Sequence, residues 1–493
     1  MTWISLLLLG IILLLLVRQS ASRITRTPWW LLWLVLMFPA FFIAIWTLVK
    51  GNQTVPTLLL VSLFILSSFS YVILLRRGQI PGTNGSSPSP ETAALDTATE
   101  KESEIETKLL NRDEEAQLQG CFPWGLYYLQ QIEYRPQAVI CRGQMRGTSE
   151  KVFKTIQDNI THRFGDRFLV TFQMGLSNKP FFALIPRSRL PQVGQLHRPS
   201  LSLFLFLMTL LTTTMAGLAL AQPDLTAAEL SGNPRLVLAG LPYAVSLMAI
   251  LGIHEMGHFL AARYYQIRAT LPYFIPLPFA LGTLGAFIQM RSPIPHRRAL
   301  FDVGIAGPIT GFLATIPLLV WGLSQSELVP LPDSATTGLD VTALNPRLSI
   351  LFAVFCRLIF GSELTTLTAI DLHPVAIAGL LGLVVTALNL MPVGQLDGGH
   401  IVHAMYGHRV GAMIGQISRL LVLVLSFIQP WLFFWAIILF FMPAFDEPAV
   451  NDVSELDNWR DGLGLIALAL LIVIIFPVPD PLSQILLTTH PTP

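Results

Sequence analysis

Long apolar runs dominate this chain, and they restrict it to folds that bury helices in a lipid bilayer. A helix that crosses the hydrocarbon core needs about 20 apolar residues. Three runs open the sequence, Ile4 to Val17, Trp29 to Val49 and Pro56 to Leu75, and the first is short for a span. After His197 the candidate spans are 200–221, 238–262, 302–323, 373–392, 412–428, 430–445 and 462–478. We therefore predict a polytopic protein with about ten spans.

The composition agrees with a membrane protein that carries some soluble mass. Of the 493 residues 53% are hydrophobic and 12% are charged, against about 25% charged residues in soluble domains. A net charge of +1 does not suggest a nucleic-acid partner. The three cysteines cannot form a disulfide framework. Cys121 and Cys141 could pair in an oxidising compartment, but reduced, buried thiols are the preferred interpretation.

The runs divide the chain into five parts. The fold class that we predict is mostly α, a polytopic membrane helix bundle with a small cytoplasmic α/β module. The parts are N-terminal membrane segments (1–77), a disordered linker rich in Pro, Gly, Ser and Glu (78–109), the soluble module (110–198), a membrane core (199–410) and C-terminal membrane helices (411–493). The segment 347–361 is too short to span and is expected to be re-entrant or interfacial.

Alternation and helical spacing predict a compact β-α-β-β module. The stretch YRPQAVIC (134–141) is typical of a strand, and Val152, Ile156 and Ile160 recur at helical spacing. FLVTFQM (168–174) and FFALIP (181–186) are predicted as two strands around the turn signal GLSN. The module contains no nucleotide-binding fingerprint, so its sequence does not name a ligand.

Arginines in the short loops predict the orientation in the membrane. They are concentrated in 18–28, 187–198 and 263–300, whereas 222–237 and 324–347 are acidic and contain one arginine each. Because cytoplasmic loops carry the excess of basic residues, the module and the 263–300 loop are predicted to face the cytoplasm.

The stretch HEMGHFLAAR (254–263) lies at the end of an apolar run and contains H-E-x-x-H. Positions i and i+4 share one helix face, so His254 and His258 can bind one ion, and Glu255 lies close enough to act as a general base on water. A pair of surface histidines is the alternative. It is disfavoured because ionisable residues within a span are costly and usually functional. The sequence therefore predicts a Zn²⁺ site in the membrane.

A catalytic zinc site needs a third protein ligand and one open position. Asp397 is the best candidate, because it follows the 373–392 span among several glycines and should end on the same side of the membrane as His258. The glycines permit irregular backbone, which is tolerated at membrane depth only inside protein or beside a wet cavity. His400, His403 and His408 compete for the same role.

Three blocks carry a family resemblance: HEMGHFLAARYYQIRATLPYFIPLPF, GTLGAFIQMRSPIPHRRALFDVGIAGPITGF and LNLMPVGQLDGGHIVHAMYG. Together they span about residues 240 to 410, and the chain there resembles the site-2 protease family of intramembrane zinc metalloproteases. The resemblance is to its cyanobacterial and chloroplast branch, whose plant members are the ethylene-dependent gravitropism-deficient and yellow-green proteins. It implies Zn²⁺ held by His254, His258 and Asp397, and substrates that are transmembrane segments of other proteins.

Further residues fit such an enzyme. The resemblance implies that Asn389 hydrogen-bonds the substrate backbone or the developing oxyanion; helix packing is the alternative. GTLGAFIQMRSP (282–293) is predicted to be a strand or hairpin, whose edge, around Gly285, Ala286 and Phe287, could pair with an unwound substrate. The G-x-x-x-G of Gly307 and Gly311 is interpreted as tight helix packing.

Three function classes remain open at this level. They are an intramembrane endopeptidase, an ion-coupled transporter and a catalytically inactive membrane scaffold. A transporter would be expected to show an internal repeat, and an inactive scaffold would be expected to lack one of the site residues. Neither is observed in the sequence, so the endopeptidase is preferred. No Ser- and Arg-rich transit segment is evident, and we expect a cyanobacterial plasma or thylakoid membrane.

Overall fold

The structure is a computed structural model of the chain. It describes residues 28–50, 110–175, 179–189, 199–278, 281–331, 343–427, 432–443 and 446–487, with isolated residues between 10 and 74. The predicted spans 4–17 and 56–75 lie mostly outside the described residues, and the predicted linker 78–109 lies wholly outside them.

The described part is mostly helical. In chain order its helices are α1 (Trp29–Lys50), α2 (Arg112–Gly120), α3 (Ser149–Phe164), α4 (Pro199–Ala221), α5 (Ala227–Gly232), α6 (Leu241–Tyr264), α7 (Arg297–Ser324), α8 (Ile350–Phe360), α9 (Pro374–Leu390), α10 (Asp397–Tyr406), α11 (His408–Leu425), α12 (Leu432–Phe441), α13 (Asn458–Ile475) and α14 (Asp480–Leu486). The strands are β1 (Tyr127–Arg135), β2 (Ala138–Met145), β3 (Phe168–Met174), β4 (Pro180–Pro186), β5 (Tyr273–Pro276), β6 (Thr283–Phe287), β7 (Glu327–Pro330) and β8 (Thr368–Asp371).

The N-terminal module is a four-stranded antiparallel sheet in the order β1-β2-β4-β3. Helix α3 buries Val152, Ile156 and Ile160 in its core, as their spacing predicts. The rings of Phe172 and Phe182 stack there with centroids 4.2 Å apart. Adjacent strands thus contribute the aromatic side chains that hold the helix to the sheet.

The prediction of one strand over 134–141 is wrong. The residues before Pro136 belong to β1 and those from Ala138 onward belong to β2. The two strands form a hairpin in which Arg135 pairs with Ala138. The physical reason is Pro136, which has no N–H to give to a ladder and whose fixed φ suits the second position of a turn. The module therefore has an additional strand, and its strands and helix α3 follow one another as β-β-α-β-β.

Within the described residues, six helices are long and apolar enough to cross a bilayer. They are Trp29–Trp46, Pro199–Ala221, Pro234–Tyr264, Arg297–Ser324, His408–Leu425 and Asn458–Ile475. Each corresponds to a predicted span. Helix α9 is a shorter apolar helix of 17 residues. Within the predicted span 430–445 the structure describes α12, whose ten residues are fewer than a bilayer needs; residues 430–431 and 444–445 lie outside the described residues.

Small residues bring α6, α7 and α9 together at the centre of the bundle. A Cβ on Gly257 of α6 would lie 2.7 Å from the carbonyl oxygen of Ala306 on α7. A Cβ on Gly322 of α7 would lie 2.3 Å from the backbone nitrogen of Ala376 on α9. Helices in membranes associate through such close backbone approach, because lipid tails give no hydrophobic driving force between helices. This packing brings the C-terminal half of α6 against α7.

The module lies at the end of the bundle where α6 ends and α7 begins. Glu150 at the start of α3 pairs with Arg298 in the first turn of α7 at 3.1 Å. The structure thus places the module and the 263–300 loop at the same end, as the arginine distribution predicts. That this end faces the cytoplasm stays a prediction.

Candidate metal centre

One helical turn of α6 brings the two motif histidines together. His254 and His258 are both buried, and their Nε2 atoms lie 3.2 Å apart. The i and i+4 spacing therefore produces the pair of neighbouring donors that the sequence predicts. Both residues lie in the C-terminal half of α6, with His258 six positions before the last helical residue, Tyr264.

Helix α7 fixes the orientation of the His258 imidazole. Val303 accepts a hydrogen bond from Nδ1 of His258 at 2.7 Å. Because a carbonyl oxygen can only accept, Nδ1 carries the proton and the Nε2 lone pair points into the site. Such a second hydrogen bond is the usual way in which proteins fix the tautomer and direction of a histidine ligand.

Glycines on α7 provide the space that the rings occupy. A Cβ on Gly307 would lie 2.0 Å from Nε2 of His258, and one on Gly311 would lie 2.8 Å from Nδ1 of His254. The G-x-x-x-G pattern predicts helix packing only. In the structure these glycines also form one wall of the site, a role that the sequence did not indicate.

Asp397 reaches the histidines from a distant part of the chain. Its Oδ2 lies 3.2 Å from Nε2 of His258 and 3.4 Å from Nε2 of His254. It is the first residue of α10, directly after the irregular backbone at 391–396. A Cβ on Gly398 would lie 2.0 Å from the carbonyl oxygen of Leu390, so glycine is required for α10 to fold back on the end of α9.

The donor set fits a tetrahedral zinc ion. Two imidazole nitrogens and one carboxylate oxygen form a triangle with edges of 3.2, 3.2 and 3.4 Å. Ligand atoms about 2.0–2.1 Å from a tetrahedral zinc lie about 3.3–3.4 Å from one another. Among the described residues, His254, His258 and Asp397 are the group of His, Cys and acidic side chains whose ligand atoms converge in this way. Three ligands leave the open position that a catalytic zinc site needs.

The competing histidines of the same segment face elsewhere. His403 has both ring nitrogens against carboxylates, with Nδ1 2.7 Å from Asp446 and Nε2 2.9 Å from Asp452. Nδ1 of His400 lies 2.8 Å from Asp446, and Nε2 of His408 lies 3.1 Å from the backbone oxygen of the same residue. The geometry therefore favours Asp397 as the third ligand over all three histidines.

Two further predicted residues border the donor triangle. Glu255 is buried beside His258, and the backbone amide of Ile288 lies within hydrogen-bonding reach of its carboxylate. The side-chain amide nitrogen of Asn389, near the end of α9, lies 3.0 Å from Nε2 of His254. Both polar groups can thus contact a molecule that enters the open position.

The predicted hairpin after α6 is present but short. Strand β6 pairs antiparallel with β5 and ends at Phe287, well before residue 293. Gly285 has a φ of 112° at a register shift, a conformation that favours glycine. Leu284 and Phe287 are exposed and Ala286 is half-buried against the bundle core. Sequence alone did not foresee the bulge.

A match to a known family covers the whole donor set. Residues 242–429 match the model of Peptidase family M50. This chain contains an M50 peptidase domain. The matched range includes α6, α7, α9 and α10, and therefore His254, Glu255, His258, Asn389 and Asp397.

Curated relatives extend the likeness beyond the M50 domain. The chain is 29% identical over 374 residues to the probable zinc metalloprotease EGY1, chloroplastic, of Arabidopsis thaliana, covering 71% of this chain and 67% of that protein. It is 26% identical over 370 residues to the probable zinc metalloprotease EGY2, chloroplastic, of Oryza sativa subsp. indica, covering 74% and 66%. The chain thus spans about two thirds of the length of these relatives. No solved structure matches. The M50 domain and these names support a zinc metalloprotease with membrane-spanning helices.

Proposed function

We propose that this chain is an intramembrane zinc endopeptidase that cleaves transmembrane segments of other proteins. The observation that carries the proposal is the convergence of His254, His258 and Asp397 on one point between apolar helices, with Glu255 beside it. An inactive scaffold has no need for three ligand atoms at tetrahedral spacing next to a buried carboxylate. A transporter would be expected to show an internal repeat of its helices.

The residues divide the chemistry among them. Zinc held by this donor set would supply Lewis acidity and lower the pKa of water at the metal to near 7. Glu255 takes a proton from the attacking water and returns it to the leaving amine nitrogen, which is general base and then general acid catalysis. Asn389, 3.0 Å from His254, donates to the oxygen of the scissile carbonyl as negative charge develops there.

The substrate must present an extended backbone to these groups. A transmembrane helix satisfies its amides within itself, so its scissile bond becomes accessible only after local unwinding. We assign the edge of β6 around Gly285, Ala286 and Phe287 as the place where the unwound segment pairs by strand addition. This edge leads directly to Ile288, whose amide lies near Glu255.

Water must reach a site that lies at membrane depth. His258 is six residues from the end of α6, which places it about 9 Å from the helix end at a rise of 1.5 Å per residue. Asp397 is half-buried rather than sealed. We therefore place the site in a hydrated cavity close to the cytoplasmic face of a plasma or thylakoid membrane.

The test uses the full chain, zinc-loaded, in detergent or liposomes with labelled single-span proteins as candidate substrates. Glu255→Gln keeps the size and a hydrogen bond but cannot accept a proton. We expect cleavage to fall by about 10²–10⁴-fold or more, while bound zinc is unchanged. Glu327→Gln, on an exposed strand end of β7, is the matched control and should cleave normally.

Each alternative has its own signature in this experiment. Undiminished cleavage by zinc-loaded Glu255→Gln would exclude the mechanism. A wild-type chain that binds zinc but cleaves none of the candidate segments, while accumulating ions in liposomes, would favour a transporter. Zinc binding with neither activity would favour the scaffold.

A further inference from the structure

The segment 446–454, here called the strap, joins the module to the membrane bundle. The backbone N–H of Phe172 donates to the oxygen of Val450 at 2.7 Å, and Asp452 donates back to the oxygen of Phe172 at 2.9 Å. The side-chain amide of Gln173 donates to Ala449 at 2.7 Å. The strap therefore adds to the β3 edge of the sheet, in the manner of strand addition.

Val453 anchors the strap in the module. Its side chain is 6% exposed and belongs to the same apolar cluster as Phe172 and Phe182. Burying an apolar side chain stabilises the docked arrangement. Since the edge hydrogen bonds and the buried valine come from one short segment, undocking the module would expose an apolar side chain and open a sheet edge together.

The other edge of the strap contacts the residues that lead into α7. Val450 donates to the oxygen of Ile294 at 2.8 Å, and Asn451 donates to the oxygen of Pro295 at 2.9 Å. The backbone N–H of Arg297 donates to Oγ of Ser454 at 3.3 Å. The strap thus lies between the module and the first turn of the helix whose Val303 orients His258.

Two strap carboxylates hold His403 of α10 between them, and one of them, Asp446, also lies 2.8 Å from Nδ1 of His400. Asp446 and Asp452 accept from the two ring nitrogens of His403 at 2.7 and 2.9 Å, and all three residues are buried. A histidine that donates from both nitrogens is an imidazolium. Removing it would leave the buried carboxylate of Asp452 without this cation, and Asp446 with His400 alone, at 2.8 Å; breaking a buried ion pair on one side is strongly unfavourable.

Helix α10 depends on such contacts for its position. It has ten residues, and helices this short are marginal without tertiary packing. Asp397 is its first residue and His403 lies six positions later, about 9 Å along the same rigid element. Whatever fixes His403 therefore also fixes the depth and rotation at which Asp397 meets the two histidines of α6.

We propose that His403 is a positioning residue of the metal site, and that its clamp by Asp446 and Asp452 makes zinc affinity depend on docking of the module through the strap. The inference rests on the proposed zinc site. It assigns the module a role in the geometry of the active site, although the module contributes no ligand. A molecule that displaced the strap from β3 would lower the zinc affinity of the site without contacting the ligands.

The experiment measures zinc affinity of the full chain in detergent, by competition with a chromophoric chelator. We expect His403→Gln to weaken zinc binding about 10–100-fold. This is the usual range when a residue that holds a metal ligand in place, without binding the metal itself, is replaced. The absorption bands of Co²⁺ in the site should shift as well, because Asp397 moves. Tyr127→Phe is the control: it removes the hydroxyl that donates to the backbone oxygens of Cys141 and Pro180, which lowers the stability of the module without removing a hydrogen bond of the strap.

The link to the module is tested through Val453. Val453→Asp should undock the strap and weaken zinc binding as much as His403→Gln, and the double variant should be no weaker than either one. Val453→Ala, which disturbs folding less, should give a smaller decrease in the same direction. Unchanged zinc affinity in a folded Val453 variant would refute the link to the module.

The outcomes separate this inference from the proposed function. If the wild-type chain binds no zinc, the proposed function fails. If the wild type binds zinc and His403→Gln binds it equally well with unchanged Co²⁺ bands, the positioning role is refuted and the zinc site stands. If Tyr127→Phe loses as much zinc affinity as His403→Gln, zinc affinity follows general stability, and the positioning role of His403 is refuted.

Discussion

Two buried clusters of histidine and aspartate lie close together in this protein, and only one has the geometry of a metal site. In the first, two Nε2 atoms and one carboxylate oxygen lie 3.2–3.4 Å from one another. In the second, each ring nitrogen of His403 has its own carboxylate at hydrogen-bonding distance, 2.7 and 2.9 Å away. The residue types are the same in both.

The difference lies in where the lone pairs point. In the first cluster the backbone oxygen of Val303 accepts a hydrogen bond from Nδ1 of His258, so the Nε2 lone pair and the Asp397 carboxylate oxygen are acceptors that face one another. In the second, protons on both nitrogens of His403 satisfy the carboxylates pairwise. A cluster of ligand-type residues is a metal site when its acceptors converge, and it is a structural ion pair when donors and acceptors alternate.

The largest predicted effect is a difference in bound zinc between a variant of the first cluster and a variant of the second. Asp397→Asn removes a charged ligand from the first cluster, so we expect zinc to fall from one ion per chain to a small fraction at micromolar concentration. Asp452→Asn, the matched change in the second cluster, should keep one ion per chain at saturation. Elemental analysis after dialysis measures both. Full zinc content in Asp397→Asn would overturn the assignment of the third ligand.

A second prediction tests the wall of the first cluster. In Gly307→Ala the new methyl group would lie 2.0 Å from Nε2 of His258, so the ring must move. We expect loss of tight zinc binding together with about 1–3 kcal/mol of destabilisation from overpacking. Gly252→Ala is the control on α6, because its Cβ would meet only Phe274 at 3.6 Å. Equal zinc affinity in the two variants would contradict this role of Gly307.

A pH prediction follows from the second cluster. Burial lowers the pKa of His403, but hydrogen bonds and charge from Asp446 and Asp452 outweigh burial and raise it to about 9, above the value of about 6.5 in an unfolded chain. A raised pKa stabilises the fold fully below about pH 6.5, and this contribution is lost as the pH rises through 9. This contribution to the free energy of unfolding amounts to a few kcal/mol, since one pKa unit corresponds to about 1.4 kcal/mol.

The measurement compares melting temperatures of the wild type and His403→Gln from pH 6 to pH 9.5. The gap between them should be largest near pH 6 and should narrow as the pH approaches 9. A gap that widens with rising pH would show that His403 is neutral in the fold and that the second cluster does not contain an imidazolium.

The smallest effect is expected for the exposed ion pair between the module and the bundle. Glu150 and Arg298 lie 3.1 Å apart but remain 61% and 43% exposed, and such pairs contribute about 0–1 kcal/mol. Glu150→Gln should therefore shift the melting temperature little and leave zinc affinity within about fivefold. A loss comparable with that of His403→Gln would mean that this pair, rather than the strap, holds the module in place.

The sequence alone determined the features that depend on local periodicity. Long apolar runs gave α1, α4, α6, α7, α11 and α13, because hydrophobic length is sufficient to specify a membrane helix. The H-E-x-x-H spacing gave the His254 and His258 pair, because one turn of helix brings i and i+4 together. The hairpin at Pro136 was missed, because the predicted strand was continued through Pro136 and Gln137, although a proline there is a turn signal.

Only the tertiary structure decided which distant groups meet. Asp397 joins His258 across 139 positions, and its choice over His400 and His403 depends on how α10 folds back on α9. The wall at Gly307 and the strap through Val453 likewise require packing between segments that share no pattern. Periodicity in the sequence indicates which face of a helix or strand is buried. It does not indicate which other segment covers that face. That is decided where two backbones approach each other, and at such a contact a single Cβ or hydrogen bond fixes the geometry.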